Sequence, residues 1–182
     1  MRLLRRFRLA REDGGYSLIE MLTVLLILGV VMEGITTLFV NASHAELDMN
    51  KRFQVQQTAR LALDKIRREI HCASAATPTG ATSSVTLTLP SYCKTGSGSI
   101  TWCTRNVAAN RYALYRVVGA TCTGGVKWAD YLTLANAFSY TAPVSASSLG
   151  KLHVDFPVNT QPSKSTGAYE LADDIVLRNT TR

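Results

Sequence analysis

The chain has no lysine or arginine between Arg11 and Lys51, no proline before Pro78, and no two cysteines in a C-x2-C spacing. It is poor in charge, at 18% of residues, and in histidine, with only His44, His71 and His153. Each shortage excludes something. Few charges beside 46% hydrophobic residues exclude wholesale disorder. Unpaired cysteine spacings and scattered histidines exclude a zinc site of the usual pattern. No phosphate-binding loop, nucleophile elbow or metal-ligand spacing occurs, so the chain reads as a non-enzyme that calls for no cofactor. Asp173-Asp174 is a single acidic pair, short of the roughly six to eight oxygens calcium takes, and reads as part of a loop.

What is present is unevenly placed. The 182 residues suffice for one modest domain plus extras. Of the net charge of +7, residues 1–15 carry +3, through Arg2, Arg5, Arg6, Arg8 and Arg11 against Glu12 and Asp13. A basic tail before an apolar run fits an orientation signal better than a nucleic-acid surface. From 16 to 40 the only charges are Glu20 and Glu33. As a helix, that run spans about 37 Å, enough to cross a bilayer core of about 30 Å. The arginine-rich flank then stays cytoplasmic and everything after Val40 lies outside. A secretory signal has a shorter apolar core, about 7–15 residues. Ser43-His44-Ala45 has the form of its cleavage site, but the run is too long and holds two carboxylates. A plain anchor explains the length but not Glu20, which costs about 2.5–3.5 kcal/mol at a helix centre, nor the glycine pair Gly14-Gly15 beside it.

The stretch "GGYSLIEMLTVLLILGVV" resembles the prepilin cleavage-and-methylation signature of type IV pilins and pseudopilins. The match covers Gly15, Tyr16, Ser17, Leu18, Ile19 and Glu20, with a basic leader before and an apolar helix after. Tyr16 stands where phenylalanine is usual, so aromatic character is kept. The resemblance implies that a prepilin peptidase of the inner membrane cuts between Gly15 and Tyr16 on the cytoplasmic side and N-methylates the new amine of Tyr16. Glycine suits the cut because it lets the backbone open to a protease. The helix stays in the membrane after the leader leaves. Glu20 of one subunit then pairs with the Tyr16 amine of a neighbour in a filament, where low dielectric strengthens attraction and desolvation offsets part of it. A Glu20 that merely snorkels to the headgroups is the simpler alternative. Glu33 has three open placements: against a neighbouring subunit, buried and protonated, or near the outer headgroups. Gly29 matches a helix glycine common in pilins, and glycine weakens a helix by about 1 kcal/mol relative to alanine. The proline usual near it is absent.

Beyond the apolar run, "AELDMNKRFQVQQTARLALDKIRREIHCAS" continues without glycine or proline. Val55, Ala59, Leu63, Ile66 and Ile70 form one apolar stripe, which predicts a helix face packed on a core. Asp64 with Arg68, and Lys65 with Glu69, are i,i+4 pairs expected on the exposed faces. His71 suits a helix C-terminus. One helix from Tyr16 to His71 is about 84 Å long. Past Ala73 come all five prolines and eight of the twelve glycines. Short strand-like runs at 85–89, 99–104, 112–118, 131–134, 138–141, 152–156 and 175–178 alternate with loops such as "TPTGATSS" and "GATCTGG". The fold class is α+β: a long N-terminal helix, its first half transmembrane, laid on a C-terminal antiparallel β-sheet, the lollipop the resemblance implies. The boundaries are 1–15 leader, 16–40 transmembrane half, 41–72 amphipathic soluble half, and 73–182 sheet domain. "LANAFSYT", "LGKLHVDFPV" and "ELADDIVLRNTTR" look like J-type and W-type minor pilins.

Cys72, Cys93, Cys103 and Cys122 all fall on the outer side, where disulfides form. Four cysteines allow three pairings. A strand pair around "KTGSGSITW" brings Cys93 to Cys103, leaving Cys72 to Cys122. Trp102, Tyr112, Tyr115 and Trp128 near Arg105, Arg111, Arg116 and Lys127 have the composition of a DNA-binding patch, and equally of an ordinary strand surface, which is preferred. The function expected is that of a minor pilin or pseudopilin, a structural subunit that initiates or caps a type IV pilus-like filament. Its partners are the prepilin peptidase, other pilin or pseudopilin subunits and the membrane; DNA is possible but not indicated. The alternatives are a pilus-tip subunit that captures DNA or a surface, a type II secretion pseudopilus subunit, and an anchored hydrolase for which no motif speaks. The expected place is the inner membrane, single-pass, N-terminus in the cytoplasm and C-terminal domain outside, then a periplasmic or cell-surface filament.

Overall fold

With no glycine between Gly34 and Gly80 and no proline before Pro78, nothing in the sequence interrupts a helix there. In the computed structural model, which describes residues 15–145, 148–162, 164 and 167–179, helix α1 runs Leu18–Cys72. The leader expected over 1–15 lies outside the described residues apart from Gly15. The chain divides into two units, Met1–Leu47 and Asp48–Arg182.

In the first unit the described residues form the N-terminal part of α1. It is long and apolar enough to cross a membrane. Its large apolar side chains face outward, among them Leu26 at 69% and Phe39 at 72% exposure. Its hydroxyls are satisfied within the helix. Thr23 donates to the Glu20 carbonyl, Thr36 to Met32, Thr37 to Gly34 and Ser43 to Phe39, all at 2.8–2.9 Å. Such back-bonding lets a hydroxyl sit among apolar side chains without an unmet donor.

In the second unit the expected stripe is the buried face of α1. Val55, Ala59, Leu63, Ile66 and Ile70 are all buried, joined by Ala62. They pack with the inner faces of two antiparallel sheets, where the sequence suggested one. The first has the order β1-β3-β4-β5-β6, from Ala75–Thr77, Ser84–Leu89, Gly98–Ala108, Arg111–Val118 and Val126–Leu132. The second has the order β2-β7-β8-β9, from Gly80–Thr82, Phe138–Thr141, Lys151–Asp155 and Ala172–Val176. Alternation reads cleanly in β3, where Val85, Leu87 and Leu89 point inward and Thr88 outward. In β8, Leu152 and Val154 do the same between exposed Lys151 and His153. Phe138 meets Phe156 edge to face, centroids 5.9 Å apart.

Several expectations are corrected. Strands β1 and β2 lie in and beside the stretch read as the loop "TPTGATSS", and Pro78 falls between them. Strand β6 begins five residues before the expected Tyr131, because its register with β5 shifts twice and breaks the alternation. Asp173-Asp174 is not in a loop but on β9. All four cysteines are bridged, but as Cys72–Cys93 and Cys103–Cys122, not Cys93–Cys103 and Cys72–Cys122. The reason is the hairpin register. Leu89 pairs with Gly98, so Cys93 lies in the β3–β4 loop. Cys103 sits five residues up β4, about 16 Å away along the strand. The loop ties to the end of α1 instead, and Cys103 to the β5–β6 loop.

The helix charges are also reassigned. Asp64 pairs through its side chain with Arg67 at 3.1 Å, while Arg68 reaches only the Asp64 carbonyl. Lys65 does approach Glu69, at 3.3 Å, but Glu69 is fully buried rather than on an exposed face. Its carboxylate accepts from Trp102 Nε1 at 2.7 Å and from Arg116 Nε at 2.9 Å. Helix and first sheet are thus joined through one buried, fully partnered carboxylate. Removing one side of such a network leaves desolvated donors behind and costs about 3–5 kcal/mol. Glu69→Ala is expected to lower the unfolding free energy by about that much, and Glu69→Gln by less because one carbonyl acceptor survives for the indole. Denaturant titration of the detergent-solubilised chain, read by fluorescence of Trp102 and Trp128, measures both. A loss below about 1 kcal/mol for Glu69→Ala would refute the linkage.

Candidate functional site

The segment singled out by sequence begins outside the helix and ends in its first turn. Gly15, Tyr16 and Ser17 precede α1. The Ser17 carbonyl accepts from the amides of Glu20, at 2.9 Å, and Met21, at 3.1 Å, which makes Ser17 the N-cap. Glu20 therefore stands in the first turn, where the positive end of the helix dipole favours a carboxylate. Tyr16 is 77% exposed. Among the described residues no side chain pairs with the carboxylate of Glu20 or Glu33. With the hydroxyls bonded back to the helix, these two are the unpartnered polar side chains of the apolar stretch that carry charge. Nothing lies within 4 Å of where a Cβ would stand on Gly15, Gly29 or Gly34. Packing among the described residues gives no reason for glycine at any of the three.

The aromatic and basic residues of the sheet domain are largely occupied with each other. Trp102 is buried against Trp128, centroids 5.8 Å apart, and Arg116 is spent on Glu69. Arg111 clasps Asp130 through Nε at 3.0 Å and its terminal nitrogen at 2.8 Å. Lys127 Nζ adds a contact at 3.0 Å. Tyr131 adopts a left-handed φ of 62°. Arg111 lies 3.8 Å and Lys51 4.8 Å from the Tyr131 ring centroid. Arg105 lies 4.2 Å from the Tyr115 ring centroid. Two of the expected patch's four cations thus already share one carboxylate, and a third has a buried one. Of the acidic pair on β9, Asp173 accepts from Arg67 at 2.8 Å. Asp174 accepts from Lys151 at 2.7 Å and His153 at 2.8 Å. Those two hydrogen bonds hold the Asp174 carboxyl below its ordinary value. Among the described residues no three His, Cys, Asp or Glu side chains gather as metal ligands.

Burial pushes the Asp130 carboxyl up, but hydrogen bonds from Arg111, the Tyr131 amide and Lys127 outweigh it and hold it at about 2 rather than 3.8. The unfolded chain therefore takes up its proton first as the pH falls. The stabilisation is complete above about pH 4 and is lost as the pH falls through about 2. Asp130→Asn is expected to be less stable at neutral pH and to show a flatter decline in acid. Unfolding midpoints of the two proteins at about pH 6, 4 and 2.5 measure it; parallel declines would contradict it.

No protein-family model, no curated protein and no solved structure matches the chain.

Proposed function

We propose that the chain is a minor pilin or pseudopilin: a structural, non-enzymatic subunit that helps initiate or cap a type IV pilus-like filament after a prepilin peptidase removes residues 1–15. The observation that carries this is the register at the start of α1. The Gly15–Tyr16 bond lies outside the helix, just ahead of the Ser17 cap. Four residues beyond Tyr16 stands Glu20, with no side-chain partner among the described residues. Cutting that bond creates a cation at the helix end, and a neighbouring subunit supplies what each charge lacks. The outward-facing apolar stretch supports the same reading, since it is covered first by lipid and then by the helices of other subunits. The second unit, with its two disulfides, is the part held outside the membrane, N-terminus in the cytoplasm.

Shearing or membrane fractionation of cells that make the filament, followed by detection of this chain, tests the role. The chain is expected to co-purify with the other subunits and to crosslink to them through residues near Tyr16. Its exclusion from every such assembly would refute the proposal.

A further inference from the structure

The two disulfides sit in opposite electrostatic surroundings. Cys72 closes the C-terminal end of α1, the negative end of its dipole. Cys93 Sγ lies 3.4 Å from the Cys72 carbonyl oxygen. Negative charge on either sulfur is opposed there. Around the second bridge the neighbour is a cation. Arg105 Nε donates to Cys122 Sγ at 3.3 Å, and its terminal nitrogen donates to the Gly124 carbonyl at 2.6 Å. Stacking over Tyr115 fixes the guanidinium in that place. No carboxylate pairs with Arg105 among the described residues, so its charge is directed at the sulfur. Access differs within the bridge as well. Cys103 is fully buried on β4, whereas Cys122 is half-buried in a loop bounded by Gly119, Gly124 and Gly125, all at left-handed φ.

We infer that Cys103–Cys122 is a thiol-exchange site, with Cys122 Sγ the sulfur that an external thiolate attacks. The thiolate forms a bond to Cys122 Sγ, the S–S bond breaks, and its electron pair leaves on Cys103 Sγ, which takes a proton. A second thiolate attacks the reagent sulfur of this mixed disulfide and releases Cys122 as thiolate, held by Arg105. The bridge is thereby reduced by two electrons and the reagent, a small thiol or the dithiol of an extracytoplasmic oxidoreductase, is oxidised to its disulfide. Arg105 favours both steps: its hydrogen bond draws electron density from the attacked sulfur and later stabilises the leaving one. Among the described residues the Cys72–Cys93 bridge has no such cation. The inference does not depend on the filament role.

Graded treatment of the full, detergent-solubilised chain with dithiothreitol, then alkylation and mass mapping, reads the order of opening. Cys103 and Cys122 are expected to become alkylated at about tenfold less reductant than Cys72 and Cys93. With glutathione as the probe, the mixed disulfide is expected on Cys122. Arg105→Gln should raise the reductant needed for Cys103–Cys122 about tenfold and leave that for Cys72–Cys93 unchanged. Bridges that open together, Cys72–Cys93 opening first, a glutathione adduct on Cys103, or an Arg105→Gln midpoint equal to that of the parent would each overturn the inference. The order and the adduct are read on the unaltered protein, so they decide it even where Arg105→Gln fails to fold.

Discussion

Gly15→Val is expected to leave the leader attached to essentially every copy of the protein. Glycine at this position is not demanded by packing among the described residues, where a Cβ meets nothing within 4 Å. The demand comes from the peptidase, which under the proposed function must take the bond before Tyr16 in an open, extended form. A β-branched residue restricts its own χ1 and crowds the backbone at the cut. The helix beyond Ser17 is untouched, so insertion into the membrane and folding of the outer unit should proceed as before. The expected product is a membrane protein about fifteen residues too long, seen as a mass difference on intact analysis or as a mobility shift. Gly15→Ala should be cut at an intermediate rate, because only a methyl group is added. Normal processing of Gly15→Val would mean that the glycine has another purpose.

Glu20→Ala is expected to separate insertion from assembly. Replacing a carboxylate by alanine removes a charge from the apolar stretch, so insertion should be no worse and cleavage intact. Incorporation into filaments should fall at least tenfold, because the neighbour's Tyr16 amine is left unpaired in a dry helical bundle. A Glu20 that only reaches toward the headgroups predicts slight effects on both. Glu20 sits in the first turn behind an N-cap and has no side-chain partner among the described residues, which suits a role between chains. Crosslinking of the variant to its filament partners distinguishes the two; crosslinking at the unaltered level would end the charge-pairing idea.

Local patterns in this sequence were legible, and long-range ones were not. The stripe from Val55 to Ile70 names the buried helix face because burial there follows the helix period. Strands β3, β5, β7 and β8 were legible for the matching reason, alternation or a short apolar run between turn residues. Glu69 was misread because its burial depends on Trp102 and Arg116, which β4 and β5 bring to it from more than thirty residues away. A sequence signal did exist: Glu69 follows the buried Ala62 by seven residues, which returns it to the same side of the helix. The cysteine pairing failed on register, which decides whether two residues ten apart meet or stand at opposite ends of a strand. Division into two sheets was hidden in β1 and β2, each three residues long and set among turn residues. The long N-terminal helix was legible because its signals are local: an apolar run, then an amphipathic stripe, with no proline before Pro78.

The N-terminus of the protein purified from membranes of cells with an active prepilin peptidase tests the proposed function most directly. Mass spectrometry is expected to find a chain that begins at N-methylated Tyr16 and retains the entire apolar helix. An intact leader in such cells, or a chain that begins at Glu46 after cleavage behind Ser43-His44-Ala45, would contradict it.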